Sequence, residues 1–262
     1  MSGQLSLFEF FAPKVTPEPP GPRRLQISGR IIEYRFRRSR RRTIGMVVDG
    51  EGLRVSAPNR TPWREVDRFI HDNESWIEKK LAKWASVKRG TLLHGVTGET
   101  LPLFGTPMVL EVRAGHRRVE PLEGRLIVSV SDPARRHLVI ETLLKWLREY
   151  VLSALAPRVA HYTERLGLAA PQLAASNARR QWGTCTRSTR TQGGLIRLNW
   201  RLAHLPIELS DYVVAHEVSH LREMNHSRRF WALVEGLYPD WRNAREQLER
   251  AGAALPRLEV LR

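Results

Sequence analysis

Cysteine is almost absent from this 262-residue chain: Cys185 is the single one, so no intrachain disulfide can form. A reducing compartment is the expected setting, and the cytoplasm is the expected location. Long apolar runs are missing too. Nothing approaches the roughly 18 residues that cross a bilayer, so no membrane partner is expected. The opening MSGQLSLFEFFAPK has no basic start ahead of its apolar residues, and Glu9 interrupts them, so a signal peptide is not expected. Acidic residues are in deficit, with Asp+Glu 27 against Lys+Arg 43, a net charge of +16. That field favours polyanions such as nucleic acid, nucleotides or acidic proteins as partners.

What is present reads as a folded protein. Apolar residues make up 42% and charged residues 27%, enough for one large or two modest cores. Residues 1–24 read as a flexible tail and linker, since Pro13, Pro17, Pro19, Pro20 and Pro22 exclude regular structure. Residues 25–130 read as a β-rich part with one long helix. Strands are expected over 25–36, 43–48, 53–56, 100–104, 108–112 and 125–130. The helix is expected over 62–85, capped by Thr61 and opened by Pro62. Residues 131–255 read as a second, helix-rich part. A helix starts near Asp132-Pro133, is kinked by Pro157 and ends at Gly167; short strands over 173–180 and 195–199 follow, then further helices. No internal repeat is visible. The densest basic run is YRFRRSRRR, from Tyr34 to Arg42.

The chemistry concentrates in IELSDYVVAHEVSHLREMNH, an apolar helix that should be buried. His216 and His220 stand four residues apart, on one face and one turn apart. Two imidazole nitrogens so placed can reach one Zn²⁺ at about 2.0–2.1 Å, and Glu217 can face the water that the metal activates. A catalytic zinc takes a third protein ligand. His226 can supply it if the helix stops and the chain swings back, which a left-handed Asn225 would allow, with Ser227 capping the next helix. Glu223 and Glu235 remain alternatives for that position. Three of the nine histidines lie within eleven residues on a helix meant for the interior. Uncompensated burial of these groups is costly, and a metal compensates it.

The stretch from Gln181 to Trp231 resembles the YgjP-like metallopeptidases of bacteria, which are related to SprT-type zinc proteases. The specific parts are Trp182-Gly183-x-Cys185, Leu198-Asn199-Trp200, His216-Glu217-x-x-His220 and Asn225-His226-Ser227-x-x-Phe230-Trp231. The likeness extends over roughly 25–250 and includes the arginine-rich strand. It implies an α+β, zincin-like catalytic domain in which the metal-binding helix packs on a small sheet, preceded by a β-rich segment. It also implies one Zn²⁺ per chain on His216, His220 and His226, with Glu217 as base and a protein or peptide substrate. Trp182, Gly183 and Asn199 become candidates for substrate contact along the edge strand beside the metal helix; packing alone is the other explanation of Trp182 and Gly183. One departure is Gln181, where the family carries arginine. A nucleotide pyrophosphatase is the alternative activity, with Arg179, Arg180 or Arg187 holding phosphate.

The tail carries a separate signal. Gln4, Leu5, Leu7 and Phe8 resemble the short motif by which bacterial polymerases and repair proteins attach to the DNA sliding clamp, and a Pro-rich spacer follows. Tethering of that kind raises local concentration near DNA without strong direct contact.

Overall fold

The computed structural model describes residues 22–27, 29–49, 52–85, 90–178, 181–187, 193–252 and 254–258. The fold is α+β and falls into two compact units, residues 22–85 and residues 90–258.

In the first unit, β1 (Arg23–Ile27), β2 (Arg30–Ser39), β3 (Gly45–Asp49) and β4 (Gly52–Pro58) form a sheet in the order β1-β2-β4-β3. β1 and β2 make an antiparallel hairpin, as do β3 and β4, and the inner strands β2 and β4 run parallel. Alternation along β4 buries Leu53, Val55 and Ala57 on one face. That face packs with Val66 and Ile70 of α1 (Trp63–Asp72) and Ile77 of α2 (Glu74–Ala85). The single helix expected over 62–85 is therefore two. Asn73 interrupts it, its amide donating to the carbonyl of Phe69 at 2.8 Å in place of helical continuation. Thr61 makes no cap either: Pro62 occupies that position, with no side-chain hydrogen bond.

The second unit opens with the short β5 (Leu92–Leu93), then β6 (Thr100–Leu103), β7 (Thr106–Ala114), β8 (Arg118–Leu122) and β9 (Arg125–Val130), in the order β6-β7-β9-β8. β7 and β9 are parallel and the outer pairings antiparallel, the same arrangement as in the first unit. Glycines with positive φ, Gly29 (+78°) and Gly105 (+88°), turn the leading hairpin of each sheet. The topology thus recurs although the sequence shows no repeat, because the shared features are turn positions and strand order rather than residue identities.

Over this sheet lies α3 (Arg136–Arg165), whose buried stripe is Val139, Leu143, Leu147, Val151, Leu155 and Val159. Because β9 and α3 share one core, the strands over 92–130 belong with the helices that follow them rather than with the β-rich part before 131 expected from the sequence. Pro157 does not interrupt α3. Its exposed position leaves the missing N–H on the solvent side.

A second, three-stranded sheet carries β10 (Gln172–Ser176), β11 (Gly183–Thr186) and β12 (Leu195–Asn199) in the order β10-β12-β11, with β11 antiparallel to β12. After a 3-10 helix, Trp200–His204, come α4 (Ile207–Ser219), α5 (Arg228–Leu237), α6 (Trp241–Ala251) and the short β13 (Arg257–Leu258), which pairs with β5. α4 is buried on nearly every side, against α3, α5, α6 and β11. Its polar residues are accommodated locally: Ser210 Oγ donates to the Leu202 carbonyl and Ser219 Oγ to that of Ala215, at 2.9 and 2.8 Å. Asp211 ties α4 to α3, pairing with Arg158 at 2.8 Å and accepting from the Tyr162 hydroxyl at 3.0 Å.

Candidate metal centre

α4 presents His216 and His220 one turn apart, exposed by 1% and 8%, with Glu217 exposed by 2%. The helix stops at Ser219 and tightens, with His220, Leu221 and Arg222 N–H groups bonding to carbonyls three residues back. Arg187, just past β11, donates to the carbonyls of Leu221 and Arg222 and holds the reversal in place. Ser227 then caps α5, accepting from the Phe230 N–H at 3.3 Å. The bend is made without a left-handed Asn225; among described residues other than glycine, positive φ occurs only at Phe104 and Glu123. Consecutive tight turns, pinned from outside by Arg187, achieve what one special residue was expected to do.

The reversal brings His226 back over the first two rings. The three rings lie 4.8–5.1 Å apart, centroid to centroid, and each has a nitrogen within 4.8 Å of the others. Nε2 of His216 and Nε2 of His226 are 3.2 Å apart. Two nitrogens on one tetrahedral zinc, each about 2.0–2.1 Å from it, stand about 3.3 Å apart, so this donor set fits a zinc ion. Nδ1–H of His220 donates to the Glu223 carbonyl at 3.1 Å, which orients the ring with Nε2 toward the cluster. Glu223 therefore contributes its backbone here, and the carboxylate of Glu235 is engaged by Arg242 at 2.7 Å. Neither acidic alternative joins the cluster.

Phe230 forms the floor. It is fully buried and lies 4.9, 4.5 and 4.7 Å from the rings of His216, His220 and His226. Trp231 stacks on His226, with centroids 5.8 Å apart. This apolar setting pushes all three histidines below their ordinary pKa, His220 to about 4, chiefly through desolvation. They are neutral at pH 7, the form that ligates a metal. His204 is a useful contrast: also buried, it donates Nδ1–H to the Pro102 carbonyl at 2.8 Å and stays apart from the cluster.

Glu217 is shifted the other way, up to about 8, because burial disfavours its charge. Gly183 explains how it fits. A Cβ at Gly183 would lie 2.6 Å from Cγ and Oε1 of Glu217, so the β11 backbone crosses directly over the carboxylate. Gly183 is thereby placed at the site. Trp182 and Asn199 are not: at 1% and 0% exposure they have no surface to offer a substrate. The Trp182 indole lies against Gly252 after α6, while Asn199 donates to the carbonyls of Ala178 and Gln181 at 2.7 and 2.8 Å. These two residues position the approach to β11. Cys185 is half-buried with its thiol pushed up to about 12 by desolvation and then by Glu217, which fits a packing residue rather than a nucleophile. Tyr212 is fully buried, 6.2 Å from the His216 ring. Gln4, Leu5, Leu7, Phe8, Arg179 and Arg180 lie outside the described residues. Phe230 belongs to the motif Asn225-His226-Ser227-x-x-Phe230-Trp231, but its place beneath the three rings is not legible there, and a backbone acceptor such as the Glu223 carbonyl leaves no signal in a sequence.

A family model described as YgjP-like, metallopeptidase domain, matches residues 42–251. No curated protein shows a significant match. Among solved structures, the crystal structure of the metallopeptidase zymogen of Pyrococcus abyssi abylysin is similar over 38% of this chain and 96% of that one, at 20% identity and a TM-score of 0.32.

The raised Glu217 pKa makes a stability prediction for the metal-free protein. Between about 4.5 and 8 the unfolded chain loses a proton that the folded chain keeps, so this residue lowers stability as pH rises across that window. Glu217→Gln should remove the effect. In denaturant titrations with chelator present, the variant should match the parent near pH 4.5 and exceed it by roughly 4 kcal/mol above pH 8. A difference that does not change with pH would remove carboxylate desolvation as its source.

Proposed function

The chain belongs to the YgjP-like metallopeptidase-domain family, and on that footing we propose that it is a zinc-dependent peptidase of the HExxH type. One zinc per chain would be held by His216, His220 and His226, with Glu217 as the proton-transferring base. The observation that carries this reading is the 3.2 Å approach of two imidazole nitrogens beside a buried carboxylate. An all-imidazole set suits zinc, whereas magnesium prefers oxygen ligands. Bound there, zinc would supply Lewis-acid polarisation of a scissile carbonyl and acidify water. Glu217 would accept a proton from the attacking water and pass it to the leaving amine nitrogen; burial raises its proton affinity, which suits a shuttle working near neutral pH. Gly183 keeps the strand backbone against this carboxylate. β11 has β12 as its one neighbour among described strands, so its other edge can pair with an extended substrate peptide.

The competing activity, nucleotide pyrophosphatase, loses a candidate phosphate contact because Arg187 is committed to loop carbonyls. Release of phosphate from nucleoside triphosphates without cleavage of casein would place it first. The decisive comparison uses purified protein. Glu217→Gln should keep its zinc by elemental analysis and lose at least about a hundredfold in casein cleavage. Gly183→Ala should behave alike, since its Cβ displaces the carboxylate and leaves the histidines in place. His226→Ala should lose the metal itself. Full activity in Glu217→Gln would remove that residue from the mechanism.

We further propose that the protein works near DNA. In residues 22–85, sixteen Lys and Arg face eight Asp and Glu. There, Trp63 is 38% exposed and flanked by the guanidiniums of Arg23 and Arg38, 3.4 and 4.8 Å from its ring. A basic surface set with an aromatic suits phosphates and stacked bases. The chain should bind a single-stranded oligonucleotide with affinity falling steeply in salt, and should retain the bacterial sliding clamp in pull-down only when residues 1–12 are present. Binding indifferent to salt, or clamp retention without those residues, would count against the two parts respectively.

A further inference from the structure

The wall outside the histidine cluster is a stack of aromatic rings. Trp231 lies on His226, and Trp241 lies on Trp231 with centroids 4.3 Å apart and planes within 20°. α6 sends two arginines to this wall from successive turns. Arg242 sits over Trp241 at 4.5 Å and is neutralised by Glu235 at 2.7 Å. Arg245 sits over Trp231 at 5.7 Å, is exposed, and has no carboxylate within ion-pair distance among the described residues. Of the two, the unneutralised arginine is the one beside the cluster.

The balance of charge around the cluster gives Arg245 a purpose. All the donors are imidazoles, and neutral imidazoles leave a dication uncompensated. Among the described residues, Glu217 is the one buried carboxylate there. A metal-loaded site of this composition would be strongly positive, with an exposed guanidinium on the far side of one aromatic ring from His226, and would attract an anion. The guanidinium is no farther from the His226 ring than the 5.7 and 5.8 Å steps through Trp231 laid end to end. Extended chain covers that distance in about three residues.

Resting on the peptidase reading, we infer that Arg245 is a specificity-determining residue that binds a carboxylate of the substrate within about three residues of the bond cut. The favoured substrates are peptides that carry a C-terminal carboxylate or an acidic side chain at that distance. Arg245 engages the carboxylate, and Trp231 holds the guanidinium through its ring face.

The test uses the full chain carrying Glu217→Gln, loaded with zinc so that binding is read without turnover. Three probes of one length are titrated by calorimetry: acetylated tetra-alanine with a free carboxylate, its amide, and the amide with one central alanine replaced by glutamate. At least one acidic probe should bind about fivefold tighter than the neutral amide. The probe that does so identifies the carboxylate as terminal or side-chain. Adding Arg245→Gln should abolish the difference, and Arg245→Lys should restore part of it. A preference that survives Arg245→Gln, or equal binding of all three probes to zinc-loaded protein, overturns the role of Arg245 and leaves the metal centre standing. A chain that takes up no zinc overturns the peptidase reading and this inference together.

Discussion

Burial of α4 is the constraint from which the rest follows. A largely apolar helix is driven inside, and it carries two imidazoles and a carboxylate along. In that low-dielectric interior the imidazoles lose their affinity for protons and the carboxylate gains it. Histidines held neutral are ready for a metal ion without first shedding protons, and a carboxyl with raised proton affinity is suited to carrying one. The same desolvation prepares both halves of the chemistry.

Fold elements far apart in sequence serve this arrangement. α3 supplies one wall for α4 and a salt bridge to Asp211. β11 supplies a glycine where any side chain would collide with Glu217, and Arg187 at its end holds the carbonyls that let α4 stop. Trp182 and Asn199, inside the core, hold the entry to that strand. The histidines are thus positioned by a sheet edge as much as by their own helix. α6 adds Arg245, whose guanidinium lies over the Trp231 ring that stacks on His226.

The first unit follows a different logic. It repeats the strand order of the second but carries about twice as many basic as acidic residues. Part of that charge serves the fold itself: the Arg38 guanidinium donates to the carbonyls of Pro58 and Thr61 between β4 and α1.

Local patterns settled a good deal by themselves. Four-residue spacing puts His216 and His220 on one helical face in any α-helix, and Ser227 ahead of an apolar run caps α5 by local hydrogen bonding alone. Most strands and the burial of α4 also follow from periodicity, which depends on neighbours in sequence. Tertiary structure decided what depends on neighbours in space. It turned Asn199 and Trp182 from substrate-contact candidates into interior struts, brought His226 rather than the carboxylates of Glu223 or Glu235 to the two α4 histidines, and split the helix at Asn73. It also set Gly183 over Glu217 and Arg245 over Trp231. Each of those outcomes is a contact between residues far apart along the chain or a competition for a backbone hydrogen bond, and residue order alone does not encode which partner wins.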